Sequence, residues 1–171
     1  MSVSEMLTTR NGDFAARRFT AGLRMMPSLK TIVIGCVDPR VDPAVILGAG
    51  PGEIAAIRNV GGRVTPGVRR EVAMLRKVTL AAGGDLGPGW ELIVLHHTDC
   101  GITRLAGQPG LLAAFFEVDE DHLAEQAATD PQAAVALDVA ALRAEASVPG
   151  VSVSGLVYDV ATGLVETIVK P

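Results

Sequence analysis

Two stretches decide the reading of this chain: Thr31-Ile32-Val33-Ile34-Gly35-Cys36-Val37-Asp38-Pro39-Arg40 and Glu91-Leu92-Ile93-Val94-Leu95-His96-His97-Thr98-Asp99-Cys100-Gly101. Each opens as an apolar, strand-like run and closes in polar residues that include one of the only two cysteines present. In an open parallel sheet, ligands bind beyond the carboxyl ends of the strands. Two strands ending in this way can hold one metal ion between them.

Working outward, strand-like and helix-like patterns alternate, which predicts βαβ units and an α/β fold with a mainly parallel sheet. Strand one is read as Lys30 to Cys36, followed by a short helix from Pro43 to Leu47 that the Gly48-Ala49-Gly50-Pro51-Gly52 cluster ends. Strand two is Glu53 to Arg58. After the Gly61-Gly62 turn a helix runs from Pro66 to Ala82, with proline in the favoured first turn and Gly83-Gly84 closing it. Strand three is Trp90 to His96. Between Gly107 and Asp130 the pattern gives no single answer: Leu111 to Phe116 is apolar, Glu117 to Glu125 is acidic, and the stretch reads as loop or broken helix. A helix from Pro131 to Ala146 stops at Pro149-Gly150. Val151 to Tyr158 and Gly163 to Val169 flank Asp159-Val160-Ala161-Thr162 as a terminal hairpin. Residues 13 to 26 carry Phe14, Arg17, Arg18, Leu23, Met25 and Met26 in a mixed pattern that suits a helix lying on another surface, such as a partner subunit.

Composition bounds the function. At 171 residues, 49% hydrophobic and 20% charged, the chain is long enough for one domain with its own core. The net charge of -4, from 19 acids and 15 bases without a basic block, disfavours a nucleic-acid partner. Apolar runs fall far short of the roughly 18 residues a membrane helix needs, and the first residues do not read as a signal peptide. The expectation is a soluble cytoplasmic protein. In a reducing cytosol two cysteines point to thiol or metal chemistry rather than to a disulfide.

Zinc favours thiolate and imidazole ligands, and a catalytic site keeps a position open for water. Cys36, His97 and Cys100 supply three such ligands; His96 and His97 alternate faces along the strand, so one of them reaches the metal, and His97 is chosen. The plainer alternative makes both cysteines small buried apolar residues and His96 a strand-end residue with an ordinary hydrogen bond. Asp38 and Arg40 add a Cys-x-Asp-x-Arg run. The carboxylate either ligates the metal or orients its water, and the guanidinium can hold it off the metal and ionised. A surface ion pair in a turn is the bland reading of the same two residues.

Taken together, Cys36-Val37-Asp38-Pro39-Arg40, Arg58-Asn59-Val60-Gly61-Gly62 and His97-Thr98-Asp99-Cys100-Gly101 resemble, in order and spacing, the motifs of the β-class carbonic anhydrases. Gly155-Leu156-Val157-Tyr158-Asp159 with its Thr162-Gly163 turn is similar to the family's C-terminal hairpin. The resemblance implies one domain over residues 1–171, with a helical arm over 1–28 embracing a second subunit and an α/β core over 29–171. That core would have four parallel strands and one antiparallel strand. It implies zinc on Cys36, His97 and Cys100, an Asp38/Arg40 dyad beside it, Arg58 and Asn59 as support, and a cleft at the interface of a homodimer or of a tetramer built from dimers. The implied reaction is the reversible hydration of CO2 to bicarbonate and a proton by zinc-bound hydroxide. Asp38 would orient the hydroxide, and two thiolates would weaken the Lewis acid and favour alkaline conditions. A closed state would put Asp38 on the metal as a fourth ligand.

Two departures stand out. Val33 occupies the position of a tryptophan that some members use in a non-catalytic bicarbonate site, and that site is not carried over. The family's substrate-side glutamine has no clear match, and aromatics are only 4% of the chain. That predicts a narrow aliphatic pocket, which also suits carbonyl sulfide or carbon disulfide. A hydrolase for those molecules is the alternative enzyme, and a zinc or thiol sensor the alternative from another class. His122, in the acidic stretch, reads as a solvated surface residue.

Overall fold

The computed structural model describes residues 1–171. Its centre is one five-stranded sheet of β1 (Thr31–Cys36), β2 (Ile54–Asn59), β3 (Glu91–His97), β4 (Ser152–Tyr158) and β5 (Val165–Val169). The spatial order is β2-β1-β3-β4-β5. Every neighbouring pair is parallel except β4 with β5. All six residues of β1 are buried, which explains its unbroken apolar run: a central parallel strand is covered on both faces and has no reason to alternate. β1 lies between β2 and β3, pairing Gly35 with both Arg58 and Leu95, so the ends of β1 and β3 emerge side by side.

The helices are α1 (Val3–Arg17), α2 (Pro43–Ile46), α3 (Pro66–Ala81), α4 (Pro109–Phe116) and α5 (Pro131–Arg143). Four of them carry proline in the first turn, where its missing N–H costs nothing. Thr65 caps α3 through the Val68 N–H, and Asp130 caps α5 through those of Gln132 and Ala133. The main core lies between the sheet and its helices, with Ile32, Ile34, Val72, Leu92, Val94, Val135 and Val139 at its centre. A second cluster gathers Cys36, Val41, Cys100, Ile102, Leu112 and Phe116 beyond the strand ends, so both cysteines sit in an apolar wall.

Two helices, α1 and α5, differ from the sequence reading. The N-terminal helix spans Val3–Arg17 rather than 13 to 26, because Ser2 and Glu5 form a capping box that starts it at the second residue. No residue of α1 is buried, and Phe14, Phe19, Leu23 and Met25 in and after it are exposed. The undecided stretch is a broken helix: α4 stops where Glu117 turns left-handed (φ 55°), and a 3₁₀ segment, Glu120–Gln126, follows. α5 also ends at Arg143, three residues short of the expected Ala146. No helix is long and apolar enough to cross a membrane.

Candidate metal centre and cleft

β1 delivers Cys36 as its last residue and β3 delivers His97 as its last. Cys100 returns three residues later through Asp99, which adopts φ 50° to close the turn. The three ligand atoms lie within 4.8 Å of one another, and all three residues are buried. Pleating separates the two histidines: His97 joins the cysteines, while Nε2 of His96 meets Oδ2 of Asp138 at 3.1 Å.

The donor set fits a soft divalent metal. Nδ1 of His97 lies 2.9 Å from the Thr98 carbonyl oxygen, where a neutral ring donates its proton, and its buried Nε2 has no partner. A neutral imidazole so held has its lone pair on Nε2, the atom that faces the cysteines' side of the site. The two sulfur atoms are 3.8 Å apart. The hydrogen bond from Cys100 lowers the Cys36 thiol to about 4 against the opposing effect of burial. The same bond, with burial, pushes the Cys100 thiol up. The shared hydrogen bond favours one thiolate beside one thiol, and a cation held there would draw off the remaining proton.

The Asp38 carboxylate is gripped by Arg40. Nε donates to Oδ1 at 3.0 Å and Nη2 to Oδ2 at 2.7 Å, and the Arg40 backbone N–H adds a third bond at 2.9 Å. The guanidinium hydrogen bonds hold Asp38 at about 2, below the usual carboxylate range. Arg40 is itself shared: Nη1 donates to Oδ2 of Asp99 at 2.9 Å and Nη2 to the Asp99 carbonyl at 3.0 Å. Asp99 therefore ties the Cys36 loop to the Cys100 loop. The quoted motif contained it, but nothing in a single sequence says that Arg40 has two carboxylates to serve.

Arg58 binds backbone. Its Nε donates to the Cys36 carbonyl and its Nη2 to the Asp38 carbonyl, both at 2.8 Å, while Nη1 pairs with Asp42. Asn59 clamps the next turn, donating to the Arg63 carbonyl at 2.8 Å and accepting from the Arg63 N–H at 2.9 Å. Inside that turn Gly62 has φ 67°, and a Cβ there would stand 2.9 Å from the Cys36 nitrogen. Glycine is required on both counts.

Sequence reasoning missed a buried network behind the cysteines. Arg63, 2% exposed, donates from Nε and Nη2 to the Asp138 carboxylate at 2.8 and 3.1 Å. Asp138 also accepts from the Val64 N–H, and Phe116 covers the guanidinium at 4.8 Å. Burial would raise the Asp138 pKa, but His96 and Arg63 outweigh it and the carboxyl is lowered. One signal was available: a carboxylate at position 138 falls between Val135, Val139 and Leu142 on the buried stripe of α5. A charge in an apolar stripe needs a partner.

Beside the metal centre opens a cleft of about 260 Å³ lined by Arg63, His96, His97, Asp99, Cys100 and Thr103, among others. Four of its twelve lining residues are hydrophobic, so the cleft is of mixed character rather than wholly aliphatic. His122 lies outside it and is exposed beside Glu125.

Residues 31–116 match the family model described as carbonic anhydrase. The chain belongs to the β-carbonic anhydrase family. A curated relative, beta-carbonic anhydrase 1 of Mycobacterium tuberculosis, is 37% identical over 102 residues, which are 60% of this chain and 57% of the relative. The chain thus spans less than two thirds of the length of the curated relatives it matches. The crystal structure of a Streptococcus mutans carbonic anhydrase covers 98% of both chains at 30% identity and a TM-score of 0.75. Family likeness extends to a carbon disulfide hydrolase of Saccharolobus solfataricus, 32% identical over 99 residues, 57% of this chain and 43% of that one.

Proposed function

We propose that this family member catalyses the reversible hydration of CO2 to bicarbonate and a proton, with Zn2+ held by Cys36, His97 and Cys100. The observation that carries the reading is the convergence of two sulfurs and an unpartnered imidazole nitrogen within 4.8 Å, at the ends of adjacent parallel strands. Zinc in such a site acidifies water and so supplies a nucleophile near neutral pH.

The chain's own residues do the rest. Cys36 and Cys100, as thiolates, balance the metal's charge. Asp38, ionised at any working pH, accepts a hydrogen bond from the attacking water and leaves an oxygen lone pair aimed at the carbon of CO2. A carboxyl held at about 2 orients rather than abstracts a proton. Arg40 keeps that carboxylate in place; its bonds to Asp38 support an open resting arrangement, with Asp38 as a metal ligand only in a closed state. Arg58 holds the ligand loop by its carbonyls.

Residues 1–28 form an arm and 29–171 the core of one unit, and the exposed apolar residues of the arm support a homodimer or a dimer-based tetramer. A relative from Sordaria macrospora is described as tetrameric. Free cysteines as ligands suit a reducing cytoplasm.

Stopped-flow CO2 hydration with a pH indicator, on zinc-loaded protein at about pH 7 and 8.5 beside Cys100→Ser, tests the reading. Activity that rises with pH and vanishes in the variant supports it. The likeness to a carbon disulfide hydrolase makes carbon disulfide and carbonyl sulfide the second pair of substrates. One zinc per chain without turnover of any of the three would leave a zinc or thiol sensor.

A further inference from the structure

The buried guanidinium of Arg63 has a use beyond its ion pair. Its Nε and Nη2 are taken by Asp138, whereas Nη1 is buried and has no hydrogen-bond acceptor. A buried donor left without an acceptor is costly, and Phe116, packed against the guanidinium, offers no lone pair. Arg63 is also one of the residues lining the cleft that His97 and Cys100 line. Thr103 lines the same cleft, and its hydroxyl is already given to the Cys100 carbonyl at 2.7 Å. Asp99 lines it too, with its carboxylate turned to Arg40 and Arg104.

We propose that Arg63 is the oxyanion-binding group of this cleft, its Nη1 donating to an oxygen of bicarbonate. This rests on the function proposed above for the identity of the anion, though not for the existence of the site. The reacting centre, with a divalent cation and two thiolates, has little net charge of its own to hold a monoanion. A planar guanidinium matches the planar oxyanion. Asp138 has two effects. It fixes the ring of donors with Val64 and His96, and it cancels most of the positive charge, so that the anion is held and released rather than trapped.

The test is isothermal titration of the zinc-loaded protein with nitrate, a trigonal monoanion that does not turn over, and with bicarbonate at about pH 8.3. Arg63→Lys keeps the charge opposite Asp138 and removes the Nη1 donor. It is expected to weaken both anions about tenfold or more, the scale of a charge-assisted hydrogen bond. Asp138→Asn keeps Arg63 and removes the cancelling charge, and is expected to tighten both anions several-fold. A purely structural ion pair lowers thermal stability in both variants and leaves both affinities within about twofold of the parent, which would overturn the proposal. Failure of wild type to bind either anion would overturn it too. Loss of CO2 hydration in wild type with nitrate binding still dependent on Arg63 would instead sink the proposed reaction and spare the site.

Discussion

Gly62→Ala is the sharpest test of how the backbone builds this site. Gly62 follows Gly61 in the left-handed region, at φ 67°, and its missing Cβ would lie 2.9 Å from the Cys36 nitrogen and 3.0 Å from the Gly35 carbonyl carbon. Both are backbone atoms in the centre of the sheet, where β1 is paired on both sides and cannot step back. The left-handed conformation costs an alanine about 1–2 kcal/mol, and forcing a methyl into a packed site costs about 1–3 kcal/mol. The sum of roughly 2–5 kcal/mol corresponds to a fall in melting temperature on the order of 5–15 °C for a chain of this size. The atom displaced carries the first cysteine, so zinc affinity, measured by competition with a chelator, should fall at least about tenfold. Gly61→Ala is the control. Its φ is 80°, and its Cβ would meet side-chain atoms only, Cδ1 of Ile102 at 2.8 Å and Cγ of Arg63 and Cγ2 of Ile102 at 3.2 Å, rather than the backbone of β1. It should pay the conformational cost and a side-chain repacking cost without displacing the Cys36 backbone, with a smaller loss of stability and near-normal zinc affinity. Equal melting temperatures for the two variants, with Gly62→Ala binding zinc as tightly as wild type, would refute the reasoning.

Arg40→Met removes the main cause of the depressed Asp38 pKa, so its carboxyl should titrate higher than about 2. A depressed carboxyl adds stability above its unfolded value and loses it as pH falls through the folded one, so wild-type Asp38 does not titrate between pH 6 and 9. Carbon-13 NMR of labelled aspartate checks this, and an unchanged titration in the variant would contradict it. Asp138→Leu leaves Arg63 charged and unpaired at 2% exposure, and should destabilise by about 3–5 kcal/mol in urea unfolding; a loss under about 1 kcal/mol would show the network to be dispensable. After chelation, iodoacetamide at about pH 6.5 should alkylate Cys36 before Cys100, because the hydrogen bond between them lowers the Cys36 thiol and raises that of Cys100. Peptide mapping reads the order, and preferential labelling of Cys100 would reverse the proton assignment.

Much of the metal centre was legible because the information is local. A strand's end fixes where Cys36 and His97 emerge, alternation assigns the two histidines to opposite faces, and a three-residue turn is too short to send Cys100 elsewhere. The sheet was legible for the same reason: β1 and β3 are apolar runs closed by polar residues, and parallel pairing follows from the helices between them. The helix start that was misplaced and the stretch left undecided each depended on a single local feature. Ser2 and Glu5 start α1 by a reciprocal hydrogen bond that an apolar pattern does not register, and Glu117 breaks the next stretch by a backbone turn open to many residue types.

The mixed character of the cleft was not legible, because the polar residues in its wall are brought there by the fold. Arg63 and Asp138 are 75 positions apart, and Asp99 meets Arg40 across 59. The low aromatic content suggested an aliphatic pocket, yet composition describes the whole chain and a cleft of twelve residues samples almost none of it. Charge placed in an apolar stripe was the one readable trace, and it leads to a physical consequence. A buried carboxylate at position 138 is tolerable because Arg63, His96 and the Val64 N–H meet it, and once Arg63 is committed by two nitrogens the third is left with a hydrogen bond still to make. The requirement that stabilises the core therefore also places an anion donor in the cleft, so stability and anion affinity should respond to these two residues in different directions: both variants lose stability, while Arg63→Lys loosens the anion and Asp138→Asn tightens it.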